Sequence, residues 1–143
     1  MPPPGRILAV DWGRRRIGLA VCDELGLTVR GLDTLVRTNR EADLEALGQV
    51  AAREEAALVV VGRPLALDGT ETKSSGEAAR FGRTLAKRLR LPLELHDERL
   101  TSREAEDLLR SRGRPYAKAD VDRVAASLLL ESFLAARREE VAS

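Results

Sequence analysis

The run Leu58-Val59-Val60-Val61 restricts the architecture of this chain more than any other segment. Four consecutive apolar residues, three of them β-branched, leave neither face of a strand suited to water, so the strand must be covered on both sides. The flanking sequence supplies the covers. Ser/Thr-x-x-Glu boxes open helices at Thr38 with Glu41, Ser74 with Glu77 and Thr101 with Glu104. In each, the hydroxyl caps a free N–H and the Glu reaches back to the cap. The second helix carries Ala78, Phe81, Leu85 and Leu89 on one stripe, a face that belongs on a sheet.

Further strands follow from shorter runs. Arg6–Asp11 and Ile17–Cys22 are joined through Trp12-Gly-Arg-Arg-Arg16 and read as a β-hairpin. A third strand is expected within Leu27–Val36, after the turn signal Gly26, and Leu93–Asp97 alternates apolar with polar. A fourth helix is expected from about Asp120 to Arg138, with Val121, Val124, Ala125, Leu128 and Leu129 apolar. The order predicts an α/β domain: a five-stranded mixed sheet, its first three strands an antiparallel meander and the rest parallel, with helices on both faces. A length of 143 residues suits one core. The reading is a disordered lead over 1–5, a single domain over 6–138 and a frayed tail over 139–143. No apolar run is long enough for a membrane span, the start lacks signal-peptide character, and Cys22 is the single cysteine. The expected location is the cytoplasm, away from membranes.

Ligands of open α/β sheets bind outside the carboxyl ends of strands, so acids there are the first candidates. Asp11 ends the first strand, Glu98 follows the last, and Asp122 lies early in the final helix. Three converging carboxylates repel one another unless a hard cation neutralises them, and Mg²⁺ or Mn²⁺, one ion or two, suits such oxygen ligands. A site of that kind activates water against a phosphodiester. Asp97 and Glu98 are adjacent in an extended chain, so only one of them can enter the site. Asp120 and Asp122 stand about 200° apart on a helix, so they too cannot share it. Asp120 is expected as the helix N-cap and Asp122 as the ligand. Gly13 and Gly18 suit a tight hairpin or a close backbone approach. An Asp-x-Gly hairpin also occurs in actin-like ATPases, which close two such domains on a nucleotide; this chain has room for one.

Lys and Arg total 24 and Asp and Glu 23, a net charge of +1 that excludes a bulk polycation. The positives are 21 Arg and 3 Lys. This bias reflects either bidentate phosphate contacts or coding preference alone. Segments are less neutral than the whole. Residues 110–118 hold Arg110, Arg112, Arg114 and Lys118 with no acid, whereas residues 41–60 sum to −4. The basic loop and the Arg14–Arg16 run are expected to contact phosphates, and the acidic helix to be a solvated face. If the hairpin stays extended, Arg14 and Arg16 share a face. Residues 67–75 offer hydroxyls, Lys73 and a helix start, either an anion site or a plain Asp-Gly turn with its capping box. Cys22 and His96 are expected to be structural, and Trp12 to pack under the hairpin. Four aromatic residues are too few for a stacking platform of the kind single-strand binders display.

Four segments, Asp11-Trp-Gly-Arg-Arg-Arg-Ile-Gly-Leu-Ala20, Val61-Gly-Arg-Pro-Leu-Ala-Leu-Asp-Gly-Thr70, His96-Asp-Glu-Arg-Leu-Thr101 and Asp122-Arg-Val-Ala-Ala126, resemble in order and spacing the YqgF/RuvX family of ribonuclease H-like nucleases. The resemblance implies that fold, with Asp11, Glu98 and Asp122 as metal-binding catalytic carboxylates. It also implies 5′-end maturation of the small-subunit ribosomal RNA precursor, with ribosomal particles as partners, or cutting of four-way DNA junctions. Paired nicks on a junction call for a homodimer, whereas trimming one RNA end needs only a monomer. A non-catalytic nucleic-acid-binding module is the alternative of another class. Arg14 and Arg63 depart from the family pattern, which bears on substrate preference. Arg14, Arg16, Arg63, Lys73, Arg112, Arg114 and Lys118 are the expected nucleic-acid contacts. Gly13, Gly18, Thr101 and Asp120 are expected to support the site.

Overall fold

Alternation along the strands sorts the core into two apolar layers, one on each face of a single sheet. The computed structural model describes residues 5–98 and 101–142, the side chains of 101–103 and 142 excepted. In chain order the elements are β1 (Arg6–Asp11), β2 (Arg16–Cys22), β3 (Val29–Gly31), β4 (Leu35–Val36), α1 (Arg40–Arg53), β5 (Ala56–Pro64), α2 (Lys73–Leu89), β6 (Leu93–Glu98), α3 (Thr101–Ser111) and α4 (Lys118–Ala142). The sheet runs β3-β2-β1-β5-β6, with β4 also paired to β2. Strand β2 is antiparallel to its neighbours, and β5 is parallel to both β1 and β6.

Leu8, Val10, Ile17, Leu19, Val59 and Val61 point to one face, beneath Leu44 and Leu47 of α1 and Ala78, Phe81 and Leu85 of α2. Ile7, Ala9, Ala20, Cys22 and Val60 point to the other, beneath Leu129, Leu130 and Phe133 of α4. Helix α4 is apolar on a second side as well, because α3 packs there through Ala105 and Leu109 against Val121 and Ala125. The Leu58–Val61 run is thus covered on both sides, as its composition requires. Cys22 is buried, and that burial pushes its thiol pKa up, which keeps it an inert packing residue. Among the described residues no helix is long and apolar enough to cross a membrane.

The sheet has six strands, not the expected five. The Leu27–Val36 segment breaks into β3 and β4 because Leu32 turns into the core and Thr34 Oγ1 donates to the Ala119 carbonyl at 2.8 Å, drawing the chain out of the ladder. Helix starts also shift. Asn39 caps α1 by accepting from the Ala42 N–H at 2.9 Å, while the preceding Thr38 N–H goes to Asp43. Thr72 caps α2 and Ser75 reciprocates, replacing the Ser74/Glu77 box. Glu77 is engaged by Arg14 instead. The expected Thr101 cap lies outside the described residues. Helix α4 begins at Lys118, two residues before the expected cap, and continues past Arg138. Asp120 sits inside its first turn and reaches back, Oδ2 accepting the Ala117 N–H at 2.9 Å.

Candidate active site

Parallel pairing brings the carboxyl ends of β1, β5 and β6 to one edge of the sheet. Asp11 ends β1 and Glu98 ends β6, with β5 between them. Strands two places apart are separated by about 10 Å, yet the Asp11 and Glu98 carboxyls lean together closely enough to perturb one another. Gly62 on β5 makes this meeting sterically possible: a Cβ there would collide with Glu98 Oε2 and stand 3.1 Å from Leu129 Cδ2. Burial, then the charge of Glu98, its hydrogen bond and the charge of Asp122 hold the Asp11 carboxyl well above the usual carboxylate range.

Asp122 arrives from the opposite direction, on α4. Its Oδ2 accepts from Arg16 Nε at 2.6 Å, and both side chains are largely shielded from solvent. Gly18, the register partner of Asp11, admits the helix, because a Cβ at Gly18 would strike the Asp122 carbonyl. Gly18→Ala is therefore expected to push α4 away and cost about 1–3 kcal/mol, read as a lower urea midpoint with an unchanged slope.

The other expected residues divide between faces. The chain bends at Arg14 and Arg15, so Arg14 reaches Glu77 of α2 at 3.3 Å while Arg16 reaches Asp122 of α4; the two do not share a groove. Arg63 pairs with Glu71 at 3.1 Å, and Lys73 opens α2 on the surface. Residues 66–70 form a tight turn in which Asp68 Oδ1 accepts the Thr70 N–H, with Gly69 at φ +88°, and Thr72 occupies the Ser75 N–H. That is the plain turn and capping box. Asp120 lies around the helix from Asp122 and lines a cavity of about 300 Å³ with Arg112, Arg114, Tyr116 and Arg123. Arg112 and Arg114 therefore stand with Asp120, which faces around the helix from Asp122 because residues two apart on a helix point opposite ways. Lys118, the first residue of α4, is exposed. Gly13 holds the hairpin turn, where a Cβ would sit 2.6 Å from the Arg16 carbonyl oxygen. The Thr101 side chain is outside the described residues.

His96 is a structural residue of β6, its Nε2 2.9 Å from Ser132 Oγ and its ring edge-on to Phe133. Burial pulls its pKa down, against the opposing charge of Asp97. Sequence reasoning passed over Gly62, although a glycine directly after a fully buried apolar run marks a place where something approaches the strand closely. It also passed over Arg37, Arg40, Arg80 and Arg83, which gather around Trp12. The one-turn spacing of Arg80 and Arg83 on α2 was the available signal. Among the described residues no three acidic, histidine or cysteine side chains stand in a ready metal-binding arrangement. The donor set itself, all carboxylate oxygens, suits a hard divalent ion. The crowding of Asp11 against Glu98 and Asp122 marks where positive charge is needed, and Arg16 supplies it to Asp122.

The model of a family described as RuvX, Holliday junction resolvase, matches residues 5–136. The chain belongs to the RuvX family. A Koribacter versatilis protein named "Putative pre-16S rRNA nuclease" is 47% identical to this RuvX member over 141 residues, covering 95% of this chain and 92% of that protein. A protein of the same name from Synechococcus elongatus is 42% identical over 134 residues, covering 92% and 90%. Among solved structures, Thermus thermophilus RuvC in complex with Holliday junction substrate aligns with a TM-score of 0.60 at 18% identity, covering 93% of this chain and 96% of that one. The fowlpox virus resolvase with Holliday junction DNA aligns at 0.54 and 13% identity, covering 92% and 97%. At such identities the likeness concerns the fold, which in this RuvX protein is RuvC-like and of the ribonuclease H type.

Proposed function

We propose that this RuvX protein hydrolyses phosphodiester bonds of structured RNA in the cytoplasm, maturing the 5′ end of the small-subunit ribosomal RNA precursor, free or on ribosomal particles. The observation that carries the reading is the meeting of Asp11 and Glu98 over Gly62, with Asp122 facing them from α4. The names of the bacterial relatives support the substrate.

Asp11, Glu98 and Asp122 would hold one or two divalent ions, Mg²⁺ or Mn²⁺. When bound, such an ion supplies Lewis-acid activation of water and neutralises charge at phosphorus. Water attacks phosphorus, the P–O3′ bond breaks, and the products are a 5′-phosphate and a 3′-hydroxyl. The ionised carboxylates orient the attacking water, its proton leaves to solvent while solvent protonates the departing O3′, and Arg16 fixes the Asp122 carboxylate. Exposed cations such as Lys73, Arg112, Arg114 and Lys118 contact the backbone without reading sequence.

The family description favours a second reading, cutting of four-way DNA junctions. One preparation, tested with Mg²⁺, with Mn²⁺ and with chelator on an rRNA-leader fragment, a four-way junction and an unrelated single strand, separates the two. Metal-dependent cutting of the leader alone is expected, and it is lost in Asp11→Asn, Glu98→Gln and Asp122→Asn. Cutting of the junction alone, by a species that sizes as a dimer, overturns the RNA substrate. Binding without cutting of any substrate overturns the nuclease in favour of a binding module.

A further inference from the structure

Across the sheet from the carboxylates, on the α1–α2 side, a cavity of about 440 Å³ opens between Trp12, Phe81, Arg37, Arg40, Arg80 and Arg83. Alternation at the end of β1 places it there. Asp11 turns toward Asp122 and α4, while Trp12 packs into the layer under α1 and α2. The cavity floor therefore begins one residue, about 3.8 Å along the chain, from the first carboxylate.

The cavity is built rather than incidental. Arg37 lies 5.0 Å over the Trp12 ring and is fixed by buried Asp43 at 3.2 Å and by the Gly13 carbonyl. Arg40 donates to Thr84 Oγ1 at 2.9 Å. Arg80 and Arg83 project from α2 into solvent, and their guanidiniums have no partner among the described residues. The one acid at the rim, Glu77, is turned to Arg14. The indole N–H of Trp12 is buried with no acceptor among the described residues. Clustered guanidiniums suit phosphate oxygens, and an aromatic floor suits a sugar and base. The volume lies in the range of small-ligand sites. The cavity is open to solvent and of a size for one nucleotide, and its aromatic floor favours an unpaired one, because a duplex presents no free base.

We propose that this cavity is a subsite for the substrate strand. It takes one unpaired nucleotide, its phosphates on Arg80 and Arg83 and its sugar and base against Trp12 and Phe81, on the strand that passes from the carboxylates over the end of β1. This rests on the nuclease reading and adds a requirement to it: a short single-stranded segment beside the scissile bond. The chemistry is common to RNA and DNA.

Trp12 is the chain's single tryptophan, so its emission reports on the cavity. Wild-type protein in chelator is titrated with a ten-nucleotide RNA, the DNA of the same sequence, a blunt duplex and pyrophosphate. One or both single strands are expected to shift the emission, with the stronger showing which sugar fits, while duplex and pyrophosphate leave it in place. The Arg80→Gln/Arg83→Gln variant alters two exposed side chains and is expected to keep the wild-type Tm. Its affinity for the single strand should fall about tenfold at low salt, and the slope of log K against log salt should shrink by about 1.4. Unchanged affinity and slope in the variant overturn the subsite. Emission unmoved by a strand that binds, or moved as far by pyrophosphate alone, overturns it as well. The two readings fail separately. Wild type that binds at Trp12 but cuts nothing with Mg²⁺ or Mn²⁺ removes the nuclease and keeps the subsite, and undiminished cutting by the double variant does the reverse.

Discussion

Asp11→Asn is expected to abolish cleavage and to make the protein more stable. The loss of rate should be on the order of 10³-fold or more, since the residue acts as part of a unit. The gain in stability follows from proton linkage. Burial, helped by Glu98 and Asp122, raises the Asp11 pKa in the folded state above its ordinary value of 3.8. Between those two values the folded protein keeps a proton that the unfolded chain has released, so stability falls as pH rises through that window and levels off above it. Asparagine removes the titration. In chelator, unfolding midpoints of variant and wild type should coincide near pH 3 and separate toward pH 7 by about 0.5–2 kcal/mol. For a domain of this size each kcal/mol is about 2–4 °C in Tm. A variant less stable than wild type at pH 7 would contradict the crowded-carboxylate account.

Gly62→Ala should damage the site while leaving every carboxylate in the sequence. The added methyl takes the space that Glu98 Oε2 occupies and presses on Leu129, so Glu98 must withdraw from Asp11. Displacement of a reacting group by about 1 Å is worth about 10²-fold in rate, and overpacking costs about 1–3 kcal/mol. The checking measurement is kcat and KM determined separately on the leader fragment: kcat falls while KM stays near wild type. A fall confined to KM would place Gly62 in substrate binding instead.

The parts of the fold that were legible share a cause. Leu58–Val61, the two hairpin strands and the Ala78–Leu89 stripe obey periods set by the backbone itself, two for strands and 3.6 for helices. Asp11 and Glu98 were legible because they end such elements, and Asp122 because it lies early in one. Where tertiary partners decide, the sequence was silent. Thr34 leaves the sheet to meet Ala119, 85 residues away, and thereby splits one expected strand into two. Arg16 looked like a phosphate contact until its neighbour across 106 residues proved to be Asp122. The same applies to the arginines around Trp12, which come from a loop after the sheet meander, from the start of α1 and from the middle of α2. Gly62 needed knowledge of which strand lies between β1 and β6, and an α/β order alone leaves that open.

Two of the three acids belong to the sheet, and the third rides on a helix seated against a glycine. Hydrogen-bonded strands hold Asp11 and Glu98 in fixed relation, whereas the seating of Asp122 depends on how Ala126, Leu129, Leu130 and Phe133 lie on the sheet. Interior residues beneath α4 therefore set where Asp122 stands relative to the two sheet acids. A methyl gained or lost in that buried layer is expected to change the distance between the helix-borne acid and the sheet-borne pair, so a candidate site at the surface is coupled to the volume of the hydrophobic core.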